Sequence, residues 1–115
     1  MYEYKARVLR IVDGDTVDAL IDIGFDVWVK KRIRLHGINT PESRTKDLVE
    51  KKAGLAAKEQ LKDLIEANDW EVRLKSHGVG KYGRCLGEIF TDEEISLNRK
   101  LIKEGHAKEY FGGAR

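Results

Sequence analysis

A change of period divides this 115-residue chain and limits what it can fold into. Residues 16–36 largely alternate apolar and polar side chains, as half-buried strands do, whereas 47–67 place apolar residues three and four apart, as a helix does. The segment "YKARVLRIV" (4–12) is rich in β-branched residues, with imperfect alternation. After "DGD", residues 16–23 put Val17, Ala19, Ile21 and Ile23 on one face. "DVWVKKRIRLH" (26–36) puts Val27, Val29, Ile33 and Leu35 on one face and Trp28, Lys30, Arg32, Arg34 and His36 on the other. Three such strands joined by short turns predict an antiparallel meander.

The middle segment predicts a helix from about Asp47 to Ala67, with Ala53, Ala57, Leu61, Leu64 and Ile65 on its apolar face. A fourth strand is expected at 70–75. The stretch "SHGVGKYG" (76–83) reads as a loop, because three glycines in eight residues disfavour an element interior. "RCLGEIF" (84–90) reads as a fifth strand, and Ser96 caps a last helix that runs through Glu104 and stops at Gly105. The order β-β-β-α-β-β-α in one domain, 1–115, predicts an α+β fold. Its core is a five-stranded OB-type barrel with a long helix between the third and fourth strands and a short C-terminal helix.

Composition narrows function only a little. Charged residues make up 37% of the chain, yet the net charge is +2, which admits a polyanionic partner without requiring one. Cys85 is the only cysteine, so no internal disulfide forms, and a reducing compartment suits the chain. No apolar run has the length of a signal peptide or a membrane span. The expectation is a cytoplasmic monomer with no membrane association.

Three short stretches, and Arg34 apart from them, carry residues suited to chemistry, and each has an ordinary reading. "DGDT" (13–16) suits a tight Asp-Gly hairpin turn, although Asp15 offers a carboxylate to a hard cation. "NTPE" (39–42) resembles a helix start, with Thr40 as cap and Pro41 in the first position. "GKYGR" (80–84) reads as a turn leading to Arg84, and Arg34 as one more charge on a polar strand face. Their common placement at strand ends is what sets them apart.

Together, "VDGDT" (12–16), "RLHGINTPE" (34–42) and "KYGRCLGEIF" (81–90) resemble the staphylococcal nuclease (thermonuclease) family, in order and spacing, over nearly the whole chain. "LIKEGHAKEY" (101–110) is similar to that family's last core helix and exit strand. The resemblance implies that Asp15, Asn39 and the Thr40 carbonyl ligate Ca²⁺, with Mg²⁺ the other candidate. It implies that Glu42 activates the attacking water and that Arg34 and Arg84 grip the scissile phosphate. Lys81 and Tyr82 match contacts to a neighbouring nucleotide, and Tyr110 and Phe111 lie near C-terminal aromatic contacts. The implied activity is hydrolysis of DNA, and of RNA too, leaving 3′-phosphate ends, on single-stranded or frayed substrate. Short stand-alone relatives include virus-encoded ones, so action inside a host cell is among the implied settings.

The residue types agree with that chemistry. Phosphodiester hydrolysis builds negative charge at phosphorus, which a cation and planar guanidiniums stabilise. Oxygen donors select a hard cation, and His36, His77 and His106 have no zinc-type spacing. Two departures from the family pattern stand out. Asn39 replaces an expected aspartate, which weakens metal affinity and raises the rival reading of a non-catalytic nucleic-acid-binding module on the same barrel. The sequence also stops at Arg115, before the third helix of many relatives, which puts barrel closure in question.

Overall fold

The computed structural model describes residues 2–79 and 84–110. β1 (Glu3–Asp13) pairs antiparallel with β2 (Thr16–Asp22), and β2 pairs antiparallel with β3 (Trp28–Leu35). The two-residue strand β4 (Ile38–Asn39) and the helix α1 (Leu48–Glu66) follow. β5 (Glu71–Val79) pairs with both β1 and β6 (Cys85–Phe90). Parallel pairing of β3 with β6, from Ile33↔Cys85 to Leu35↔Gly87, closes a barrel in the order β1-β2-β3-β6-β5. This is the expected α+β five-stranded barrel, closed among the described residues. α2 (Leu97–Lys103) is followed by β7 (Lys108–Glu109), which pairs with β4 in a separate two-stranded sheet.

Each helix starts where a side chain can satisfy its first amide groups. The Asp47 carboxylate accepts from the Val49 and Glu50 N–H groups, so α1 begins there and not at Thr40-Pro41-Glu42. Ser96 Oγ accepts from Arg99 N at 3.1 Å and starts α2, as expected. Leu61 and Ile65 of α1 meet Leu97 and Leu101 of α2 and Ile33, Leu35 and Ile89 of the barrel in one continuous core. Every one of these side chains is essentially inaccessible to water. No helix among the described residues is long and apolar enough to cross a membrane.

Three expectations need correction. The loop expected at 76–83 is strand as far as Val79, because a β-bulge between Ser76 and Gly78 absorbs the glycine without ending the ladder. Ile23 and Val27, expected in the core, are about half exposed. The β1–β2 ladder ends at Ala6↔Ile21 and β6 covers β3 only at 33–35, so the β2–β3 hairpin extends past any layer that could bury its tip. Ala53 of α1 is also exposed, and Gly54 takes the buried position beside Ala57.

One buried polar side chain stabilises the join between helix and barrel. Asn98 of α2 accepts from Ile89 N at 3.2 Å and donates to the carbonyls of His36 (2.8 Å) and Gly87 (3.0 Å). An Asn98→Ala change leaves these backbone groups with one fewer partner in an apolar setting, so a loss of about 3 kcal/mol is expected, the upper end for one unsatisfied buried group. Chemical denaturation checks it: an unchanged midpoint would mean that water replaces the amide at no cost.

Candidate functional site

The three stretches singled out in the sequence meet at one rim of the barrel. A cleft of about 160 Å³ is walled by Asp13, Asp15 and Thr16 from the β1–β2 turn and by Arg34 from β3. Asn39, Thr40, Pro41 and Glu42 form another wall, and Arg84, immediately before β6, completes it. The parallel pairing of β3 with β6 brings Arg84, just before Cys85, to the same rim as Arg34, whose own ladder partner is Leu86.

The turn that carries Asp15 differs from the Asp-Gly type expected. Asp13 pairs with Thr16, so Gly14 and Asp15 are the two turn residues, and neither has a positive φ. Gly14 is required for a different reason. A Cβ there would lie 2.8 Å from the Ala57 Cβ and 3.1 Å from Thr40 side-chain atoms, so the turn packs directly between α1 and the Thr40 segment. Gly54 does the same from the helix side, where a Cβ would lie 2.4 Å from the Glu42 carbonyl oxygen. These two close approaches hold the Asp15 turn and the Thr40–Glu42 segment against one helix.

Asp15 is buried, with contacts on both of its carboxylate oxygens. Its Oδ1 accepts from Thr16 Oγ1 at 3.0 Å, and its Oδ2 accepts from Thr40 N at 3.1 Å and lies 3.4 Å from Arg34 Nη2. Arg34 is buried as well, not one more solvated charge: its Nη1 donates to Leu35 O at 2.8 Å and its Nη2 to Asn39 Oδ1 at 3.4 Å. One guanidinium therefore holds both side chains that the resemblance implies as metal ligands, Asp15 and Asn39. The Thr40 hydroxyl oxygen is buried with no hydrogen-bond partner among the described residues. Glu42 lies at the exposed edge, its backbone N–H 3.5 Å from Glu50 Oε1.

The donor set fits a hard cation held loosely. The oxygen atoms available are the Asp15 carboxylate, the Asn39 amide and the Thr40 segment, with neither sulfur nor imidazole among the cleft-lining side chains. No group of three or more His, Cys, Asp or Glu side chains forms a metal cage among the described residues. Three carboxylates face two guanidiniums in the cleft wall, with Asp13 also bonded to Ser43 and 3.5 Å from Arg44. A divalent cation would tip this balance toward attracting a phosphate.

Asp13 is a wall residue that the motif reading passed over. Its signal in the sequence was a second carboxylate in "DGDT", two residues before Asp15. Of the remaining predicted contacts, Tyr110 is tied through its backbone N–H to Gly37 O at 2.8 Å, beside β4, and does not line the cleft. Lys81, Tyr82 and Phe111 lie outside the described residues.

The fold and cleft define a small OB-type barrel that concentrates oxygen donors and paired guanidiniums at one rim. Residues 32–114 match the family described as Staphylococcal nuclease homologue, and the chain belongs to that family. It is 31% identical over 95% of its length to Endonuclease YhcR of Bacillus subtilis (strain 168), of which it spans 9%. It is 29% identical over 94% of its length to the Micrococcal nuclease of Shigella flexneri (59% of that protein) and 33% identical over 90% to the Thermonuclease of Staphylococcus intermedius (58%). The chain thus spans less than two thirds of each of these relatives.

Proposed function

We propose that this chain is a nuclease that hydrolyses phosphodiester bonds of DNA, and of RNA as well, with Ca²⁺ bound at Asp15, Asn39 and Thr40. The observation that carries the reading is the convergence of Asp15, Arg34, Glu42 and Arg84 in one cleft of a family member whose relatives are named as nucleases. The exposed Glu42 carboxylate takes a proton from a water, and the water oxygen attacks phosphorus. Arg34 and Arg84 donate to the phosphoryl oxygens as negative charge builds there. The bond from phosphorus to the 5′-oxygen breaks, leaving a 3′-phosphate on one fragment, and the departing 5′-oxygen takes a proton from solvent to become the 5′-hydroxyl of the other. Bound Ca²⁺ supplies charge stabilisation at the same phosphate.

A second reading is a binding module without catalysis. It is favoured by Arg34 Nη2, which lies 3.4 Å from both Asp15 Oδ2 and Asn39 Oδ1, where a cation would compete for the same oxygens. Incubation with denatured DNA in Ca²⁺, Mg²⁺ or chelator separates the two: calcium-dependent cleavage supports the enzyme, and a gel shift without cleavage supports the binder.

Asn39→Asp refines that test. Ligand charge tunes calcium sites over a wide range, so the variant should need about tenfold less Ca²⁺ for half-maximal activity. Its affinity for the phosphate backbone should weaken slightly, because the added charge repels it. An unchanged calcium titration removes Asn39 from the ligand set. An inert wild type beside a cleaving variant would make the natural chain a binder.

A further inference from the structure

The outer face of the β1–β2–β3 sheet carries a row of side chains that the cleft leaves unused. Arg34 lines the cleft, and the same face of β3 continues outward with Arg32, Lys30 and Trp28. Across the ladder, Thr16 faces Arg34, Asp18 faces Arg32, Leu20 faces Lys30 and Asp22 faces Trp28. β1 adds a third column, with Arg10 opposite Asp18 and Arg7 opposite Leu20.

Arg10 reaches this face through a break in the strand. Ala6 and Val8 point into the core, so strict alternation would send residue 10 inward too. The register shift between Val8 and Arg10 is a β-bulge that turns Leu9 and Arg10 outward together before Ile11 returns to the core. The result is a charge cluster. Arg32 grips Asp18 through Nε at 2.8 Å and Nη2 at 3.2 Å, and Arg32, Lys30 and Arg10 all hold the Asp18 carboxyl below its ordinary value against the opposing effect of burial. One carboxylate thus answers three cations. Arg7 has Glu71 at 3.7 Å, whereas Arg10 and Lys30 have no ion-pair partner among the described residues.

Beyond the cations the row ends in aromatics. Trp28 is half exposed, and Phe25 at the hairpin tip is fully exposed, on a backbone of φ 56° that bulky residues rarely adopt. From Arg34 to Trp28 the strand rises about 20 Å, at ~3.4 Å per residue. Cations followed by an open aromatic face suit a single strand, because its phosphates meet the charges while an unpaired base can lie on the ring. A duplex hides its base faces.

We propose that this face is a track for single-stranded nucleic acid, which holds the stretch of substrate flanking the cleft, with phosphates on Arg10, Arg32 and Lys30 and a base on Trp28. The inference rests on nucleic acid being the substrate of the cleft. It adds a site outside the catalytic rim.

The test compares the wild type, an Arg10→Glu/Lys30→Glu double variant and Trp28→Ala. Affinity for a labelled single strand of about sixteen nucleotides, the upper site size of an OB fold, is read by anisotropy with Glu42→Gln added to each. Cleavage of a dinucleotide, which reaches only the cleft, is read with Glu42 in place. Each change should weaken binding of the long strand about tenfold or more, the scale of one lost base stack. The double variant should also flatten the salt dependence by about 1.4 in log–log slope, at ~0.7 per phosphate of single strand. Dinucleotide cleavage should stay at the wild-type rate. Unchanged long-strand affinity in both variants, with cleavage intact, overturns the track and leaves the nuclease reading standing. A parallel loss of dinucleotide cleavage also overturns it. Reduced long-strand affinity with a wild type that cleaves nothing supports the track while defeating the nuclease reading. Loss of binding to anionic lipid vesicles, with oligonucleotide affinity unchanged, would assign the face to a membrane surface and overturn the proposal.

Discussion

Replacing Arg34 with lysine is expected to lower turnover by about 10²–10³-fold, the cost of removing one transition-state donor. Arg34 is buried, and its two terminal nitrogens are spread over the Leu35 carbonyl, the Asp15 carboxylate and the Asn39 amide. A lysine keeps the charge but loses the planar fork that can serve a phosphate oxygen and these anchors together. Affinity for uncleaved single-stranded DNA should fall much less than the rate, because charge dominates ground-state attraction to phosphate. Single-turnover rates and equilibrium binding on the same variant separate the two quantities. Equal losses in both would reduce Arg34 to a phosphate anchor. Circular dichroism and thermal melting of the variant show whether the barrel rim itself has been disturbed. Arg84→Lys, immediately before β6, should behave in the same way.

Glu42→Gln carries the second large effect, a fall in turnover of at least ~10²-fold, the low end of general-base catalysis. The amide is close in size to the carboxylate but cannot take a proton from water. The side chain is exposed, so the substitution leaves the core untouched, and the segment stays clamped by Gly54 at the Glu42 carbonyl. Stability and long-strand affinity should therefore match the wild type while the rate collapses. A variant with near-normal turnover and unchanged metal dependence would take Glu42 out of the mechanism. In that case Asp13, the wall carboxylate to which no role has been given, becomes the next group to test.

Asp13 and the two glycines show where local reading stops. The alternation in β2 and the inner half of β3 is visible in the sequence because each strand buries one face, and α1 is visible because its stripe meets the barrel. Gly14 looked like a turn former, and Gly54 carried no signal inside the helix pattern. Both are contact residues, with Ala57 or the Glu42 backbone where a side chain would go. Such a requirement belongs to a pair of segments far apart in the chain, and no local pattern records it. The same holds for Ile23 and Val27, whose alternation is good but whose hairpin outruns the layer that would cover it.

The sequence by itself determined the order of the five barrel strands and two helices, the helix cap at Ser96, and the residue types gathered at strand ends, because propensity, capping and periodicity act within a few residues. Only the tertiary structure decided that Arg34 is buried between Asp15 and Asn39, that Arg84 joins it through a parallel strand pair, and that a bulge swings Arg10 onto Asp18. Those are consequences of barrel closure, which sets register between strands that are distant in sequence, and register is what turns scattered charges into a site.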